Sequence, residues 1–200
     1  MAAIGLAMAL VVLGAKPDAV PKLLPKTPPD WRFERIEFPL PFAPDLKYEG
    51  FEELRFAPGM FNAKSDTYFT YIFAMKITND VSIDGKLLKS LLETYFRGLC
   101  RTVAEGTDFD IDLSKISATV REDHYEAERS RHFSVVLDSY DPFVTGKPLK
   151  LRLEMLVVWK AENDHRVFAA VSPKPPDSPV WSMLRKLMKR FQEQATLTEK

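Results

Sequence analysis

The 200 residues carry 28 basic and 28 acidic side chains, so no global field draws nucleic acid or an acidic partner to the surface. A hydrophobic fraction of 46% with 14 phenylalanines suits a globular chain long enough to bury its own core, and a single cysteine excludes an intramolecular disulfide. Eight glycines leave little room for a phosphate-cradling loop, and Gly146-Lys147 lacks the preceding glycine of a P-loop.

The chain opens on an apolar run. Residues 2–15 hold no charged or hydrogen-bonding side chain, and Lys16-Pro17 follows at once. This is the shape of a secretory leader, an apolar core of about 7–15 residues ending in small ones. A membrane span needs roughly 20 such residues. The expectation is a signal peptide over 1–15 and a protein that is exported, periplasmic or secreted. A buried N-terminal helix or strand is disfavoured, because Pro17, Pro21, Pro25, Pro28, Pro29, Pro39, Pro41 and Pro44 would isolate it from the core.

Residues 16–44 therefore read as a Pro-rich neck. Its first half should be a stiff polyproline-like spacer. Its second half, with Trp31, Phe33, Ile36, Phe38, Leu40 and Phe42, is too apolar for that and should lie extended across a single domain over 45–200. Residues 51–56 and 67–77 read as strands, with Pro58-Gly59 opening the connection. Asp84 can cap a helix whose apolar positions are Leu87/Leu88, Leu91/Leu92, Tyr95/Phe96, Leu99/Cys100 and Val103, stopped by Gly106. Beyond it the period becomes two, through Ile116-Ala118-Val120, Phe133-Val135-Leu137, the long alternation from Leu149 to Trp159, and Val167-Ala169-Val171. A last helix follows Pro179, with Trp181, Leu184, Leu187, Met188 and Phe191 on one stripe.

The order is β-β-α-β-β-β-β-α. This predicts an α+β domain, an antiparallel sheet of about six strands covered by two amphipathic helices. Short connections should put both helices on one face or around an edge. The element order is similar to that of the Mog1/PsbP-like proteins. That resemblance is one of topology, and it brings no functional residue with it.

Several residues could carry chemistry. Asp108, Asp110 and Asp112 alternate as in a calcium loop, but Leu113 and Thr119 stand where an EF-hand needs Gly and Glu, so an acidic loop is expected. If residues 126–129 make a turn, His124 and His132 fall opposite one another. With Glu122 or Glu126 they could then hold a zinc ion with an open position for water. His165 falls in the polar turn Glu162-Asn163-Asp164-His165 and should be exposed. Cys100 lies on the helix stripe and reads as a core thiol rather than a nucleophile. Arg185, Lys186, Lys189 and Arg190 lie opposite the stripe of the last helix. That helix should dock on the sheet, although it could instead lie on an anionic membrane and insert Trp181 and Phe191. Aromatic residues crowd into 31–73, and a surplus lining a concave sheet face could stack an apolar or sugar-like ligand.

The expectation is an exported, non-catalytic binding or accessory domain of the cell envelope. It would contact a protein or small-molecule partner through the aromatic face or the neck, with no cofactor and no nucleic acid. A metal-dependent hydrolase built on His124, His132 and a nearby Glu is the alternative. A peripheral membrane protein held by an uncleaved leader and the basic helix is a third reading.

Overall fold

The computed structural model describes residues 23–123 and 129–197. The expected signal peptide, the start of the neck, His124 and Glu126 lie outside the described residues. Seven strands, β1 (Arg32–Glu37), β2 (Gly50–Phe56), β3 (Tyr71–Ile77), β4 (Ser117–Asp123), β5 (Ser130–Tyr140), β6 (Pro148–Ala161) and β7 (Asp164–Ser172), form one antiparallel sheet. Its order is β1-β2-β3-β7-β6-β5-β4. Helix α1 (Gly85–Ala104) joins β3 to β4, and α2 (Pro179–Leu197) ends the described chain. Among the described residues no helix is long and apolar enough to cross a membrane.

The α+β class and antiparallel sheet agree with the sequence reading, but the sheet has seven strands rather than six. The added strand is β1, drawn from the second half of the neck and paired along its whole length with β2. No proline lies between Pro29 and Pro39, so this stretch can donate a full set of amides to the ladder.

The helices also differ from expectation, because they cover opposite faces. Leu88, Leu91, Leu92, Tyr95 and Phe96 of α1 pack on Phe73, Met75, Met155, Val167 and Ala169. On the other side, Trp181, Leu184, Leu187 and Phe191 of α2 pack on Ile72, Ala74, Leu156, Phe168 and Ala170. The central strands are apolar at consecutive positions, as in Tyr71-Ile72-Phe73-Ala74-Met75, which is the composition of a strand buried on both sides. One helix cannot cover two faces, so the second crosses over.

Local chemistry fixes each layer. The Asp84 side chain accepts the Leu87 amide at 2.8 Å and starts α1. Gly98 lets α1 close on the chain after β1, since a Cβ there would stand 2.1 Å from the Phe42 carbonyl oxygen. The stripe of α2 is committed to the sheet, with Trp181 and Phe191 each only 1% exposed. Its Arg185 donates from Nε and Nη2 to Glu154 at 2.6–3.1 Å.

The neck is docked earlier than the spacer reading implied. Buried Glu53 accepts the amides of Leu23 and Leu24 at 2.9 and 3.0 Å, and Leu24 and Trp31 join the cluster under α2. Nor do the aromatic residues line an open sheet face, because α1 occupies it. Phe42, Phe69, Tyr71 and Phe73 are buried, and Phe73 and Tyr95 stack at 6.0 Å between centroids.

Candidate functional site

Helix α1 begins short of the last row of sheet residues, and a cleft of about 230 Å³ lies there. Its floor comes from three adjacent strands: Arg131 on β5, Val157 and Trp159 on β6, and His165 on β7. Residues 80–83 of the β3–α1 connection and Glu162 of the β6–β7 turn form its walls. The register sets Trp159 directly opposite His165 and Arg131 opposite Val157, so these side chains share the face that α1 covers farther along.

His165 is the unusual member. It is 7% exposed, and its Nε2 lies 2.8 Å from the Glu162 carbonyl oxygen. A carbonyl only accepts, so in the neutral ring the proton sits on Nε2 and Nδ1 presents a lone pair. That Nδ1 is buried and has no hydrogen-bond partner among the described residues. Leaving a buried polar atom unsatisfied costs about 1–3 kcal/mol. The Arg131 guanidinium stands 5.6 Å from the centre of the Trp159 ring, and its Nε lies 3.5 Å from Glu122. Asp80, Ser82 and Glu162 are the exposed residues of its walls.

The residues singled out in the sequence are distributed differently. The β4–β5 ladder pairs Asp123 with His132, one residue away from the histidine pairing expected. Each one-residue step reverses the face. Glu122 is therefore opposite Phe133 on the α1 side, ion-paired with Arg131, while His132 lies on the α2 side. The sheet stands between them, so these two do not share an ion. His124 and Glu126 lie outside the described residues, and among those described no three His, Cys, Asp or Glu side chains converge as a metal set. Burial pushes His132 below its ordinary pKa, with Asp123 opposing. Asp123 itself accepts from Ser134 Oγ at 2.6 Å and Arg121 Nε at 3.0 Å.

His165, read as an exposed turn residue, is instead buried in the cleft. The turn is tighter than its polar composition suggests: Ala161 already pairs with Asp164, so His165 lies one step inside the ladder. Cys100 is the core thiol expected, its Sγ 3.8 Å from Ser139 Oγ, and burial raises its pKa away from the thiolate range. Asp112 caps the short 3₁₀ helix Leu113–Lys115 through the Ser114 amide, while Asp108 and Asp110 are exposed.

Comparison with protein-family models, characterised proteins and solved structures finds no match.

Sequence reasoning also missed a buried acidic pair. Glu52 and Glu53 are both fully buried on β2. Glu53 faces the α2 side and is satisfied by the neck amides and by Arg35 Nη1 at 3.4 Å. Glu52 faces α1, where the Tyr95 hydroxyl donates to Oε2 at a long 3.4 Å and Oε1 has no partner among the described residues. Burial raises Glu52 to about 8, the Tyr95 bond pulls the other way, and Glu34 on β1 adds to the rise. The acid is therefore carried mostly neutral at neutral pH. The doubled glutamate was the signal: adjacent strand residues point to opposite faces, so where both faces are covered both carboxyls go inward.

Proposed function

We propose that this protein is an exported binding or accessory domain of the cell envelope, periplasmic or secreted, holding a small molecule in the cleft of Arg131, Trp159 and His165. The observation that carries the reading is the cleft itself, where Arg131, Trp159 and the buried His165 come together from three adjacent strands beneath residues 80–83. The surrounding groups suit recognition, with one aromatic plane and a few polar side chains converging on it. Export is supported by the uncharged apolar run over 2–15 and the Lys-Pro pair that ends it.

Native mass spectrometry of protein recovered from its own cells tests both halves. The expected result is a mass lacking about the first fifteen residues, as leader removal requires, with an added mass that Trp159→Ala abolishes. A full-length chain would overturn the export reading. An added mass that survives Trp159→Ala in a folded variant would overturn the placement of the site.

A further inference from the structure

We infer that β1 is a self-pairing edge, where two copies of this chain join antiparallel about a two-fold axis through Ile36. The proposal is independent of the cleft, because β2 and β3 separate β1 from the strands that line it.

The two edges of the sheet are finished differently. At β4 the side chains of α1 close over the ladder. Glu93 accepts the Ala118 amide at 3.0 Å, Lys89 donates to the Ala118 carbonyl at 2.9 Å, and Arg97 donates to the Ile116 carbonyl at 2.7 Å. At β1 the Phe38 amide donates to the Gly50 carbonyl at 3.0 Å, one step beyond the pair Glu37 and Phe51. The alternation of an antiparallel ladder therefore turns the amides and carbonyls of Arg32, Glu34 and Ile36 toward β2. Those of Phe33, Arg35 and Glu37 point outward and have no hydrogen-bond partner among the described residues. An unpaired row of this kind is a template for another strand.

Parity and charge decide which strand fits. Outward residues pair only with outward residues, so a symmetric contact must be centred on one residue of β1. Centring on Arg32, Glu34, Arg35 or Glu37 sets that charge directly against its own copy, which is unfavourable. Centring on Phe33 calls on the Trp31 amide, which already donates to the Pro28 carbonyl at 3.2 Å. Ile36 remains. Its side chain then meets its own copy on the α1 side, apolar against apolar. On the α2 side Arg35 comes opposite Glu37 of the second copy, and Glu37 opposite Arg35. Each of these pairs exchanges both of its backbone hydrogen bonds. Within one chain Arg35 donates from Nε to Glu37 at 3.0 Å and from Nη1 to Glu53 at 3.4 Å. A guanidinium carries five N–H donors, so some are left for a second carboxylate. The strand is thus its own complement in charge, which is what a two-fold contact requires of a surface.

The test is sedimentation equilibrium of the purified protein from micromolar to millimolar concentration, with amide hydrogen exchange at both ends of that range. The expected result is a monomer–dimer equilibrium in which the Arg35 and Glu37 amides slow as the dimer fills. The Phe33 amide lies beyond the paired segment and should stay fast. Glu37→Lys should weaken the dimer about tenfold, because two symmetry-related cross-strand pairs turn from attraction to repulsion. Glu37→Pro should abolish it, and suits the fold because the Glu37 amide points away from β2. Glu37 is exposed, so Glu37→Lys carries the test if the proline variant fails to fold. A wild type that stays monomeric to the highest concentration overturns the proposal. A dimer unmoved by either substitution overturns it as well. Protection of Phe33 equal to that of Arg35 would mark the register centred on Arg35 and overturn the pairing through Ile36.

Discussion

Replacing Glu52 by Gln removes one proton-binding site from the core while keeping nearly the same shape. In the unfolded chain the carboxyl titrates near its ordinary value of 4.5, and in the fold near 8. Below the lower value both states hold the proton, and above the higher value neither does. Between them the unfolded chain has lost a proton that the fold keeps, so stability falls as pH rises, by about 1.4 kcal/mol per pH unit. From pH 4.5 the wild type thus loses about 3 kcal/mol by neutrality and about 5 kcal/mol by pH 8, while Glu52→Gln carries no such slope. The amide adds a donor to a place that already has an unpartnered oxygen, which makes the variant less stable at the acid end by about 1–2 kcal/mol. The two stability curves should therefore cross. Urea unfolding followed by tryptophan fluorescence, run on both proteins through this window, reads the difference directly and cancels groups common to both. A difference that stays flat with pH would show Glu52 ionised in the fold and refute the reasoning.

Three further outcomes follow from the packing. Gly98→Ala should destabilise by about 1–3 kcal/mol, because its Cβ would lie 2.1 Å from the Phe42 carbonyl oxygen and backbone must move; unchanged urea stability would mean that α1 does not approach that segment. Glu53→Ala strands the Leu23 and Leu24 amides, while Arg35 keeps its ion pair with Glu37, and should cost about 1–3 kcal/mol. Its signature in hydrogen exchange is faster exchange at Leu23 and Leu24 than at β3 or β7, and uniform loss of protection would contradict the anchor. Tyr68→Phe should cost only about 1 kcal/mol in thermal unfolding. Asp141 would lose a 2.6 Å bond and keep those from Phe143, Val144 and Thr145, so a loss of several times that size would show the remaining bonds to be weak.

What the sequence disclosed follows from which patterns are local. Helix α1 was legible because its apolar pairs recur every four residues between an Asp cap and Gly106, whose φ of +79° suits glycine. The long alternation of β6 was equally plain. Reading Val167-Ala169-Val171 as one apolar face was correct but partial, since Phe168 and Ala170 between them are fully buried under α2. A period of two describes one covered face, and a second cover leaves only an unbroken apolar run, which looks like emphasis rather than a second surface. The β4–β5 register escaped for a different reason. Arg121, Glu122, Asp123 and Arg131 give neither side of that hairpin end an apolar signature, so nothing local distinguishes one alignment from its neighbour.

The cleft was hidden by topology. Arg131, Trp159 and His165 come from β5, β6 and β7, and the wall at 80–83 leads out of β3, so the site exists only once the order β3-β7-β6-β5 is known. That order also accounts for its location. A sheet with both faces covered gives its middle rows to helices, and a side chain there must be apolar, or neutral and cramped like Glu52, or supplied with partners like Glu53. Rows beyond the start of α1 are free of that demand. Polar and aromatic groups can stand together there at small cost, because loops rather than a helix lie over them. Charged or aromatic residues at strand ends, such as Arg131 and Trp159, are therefore where recognition is best sought in this fold, and the alternating centres of the strands are where it is least expected.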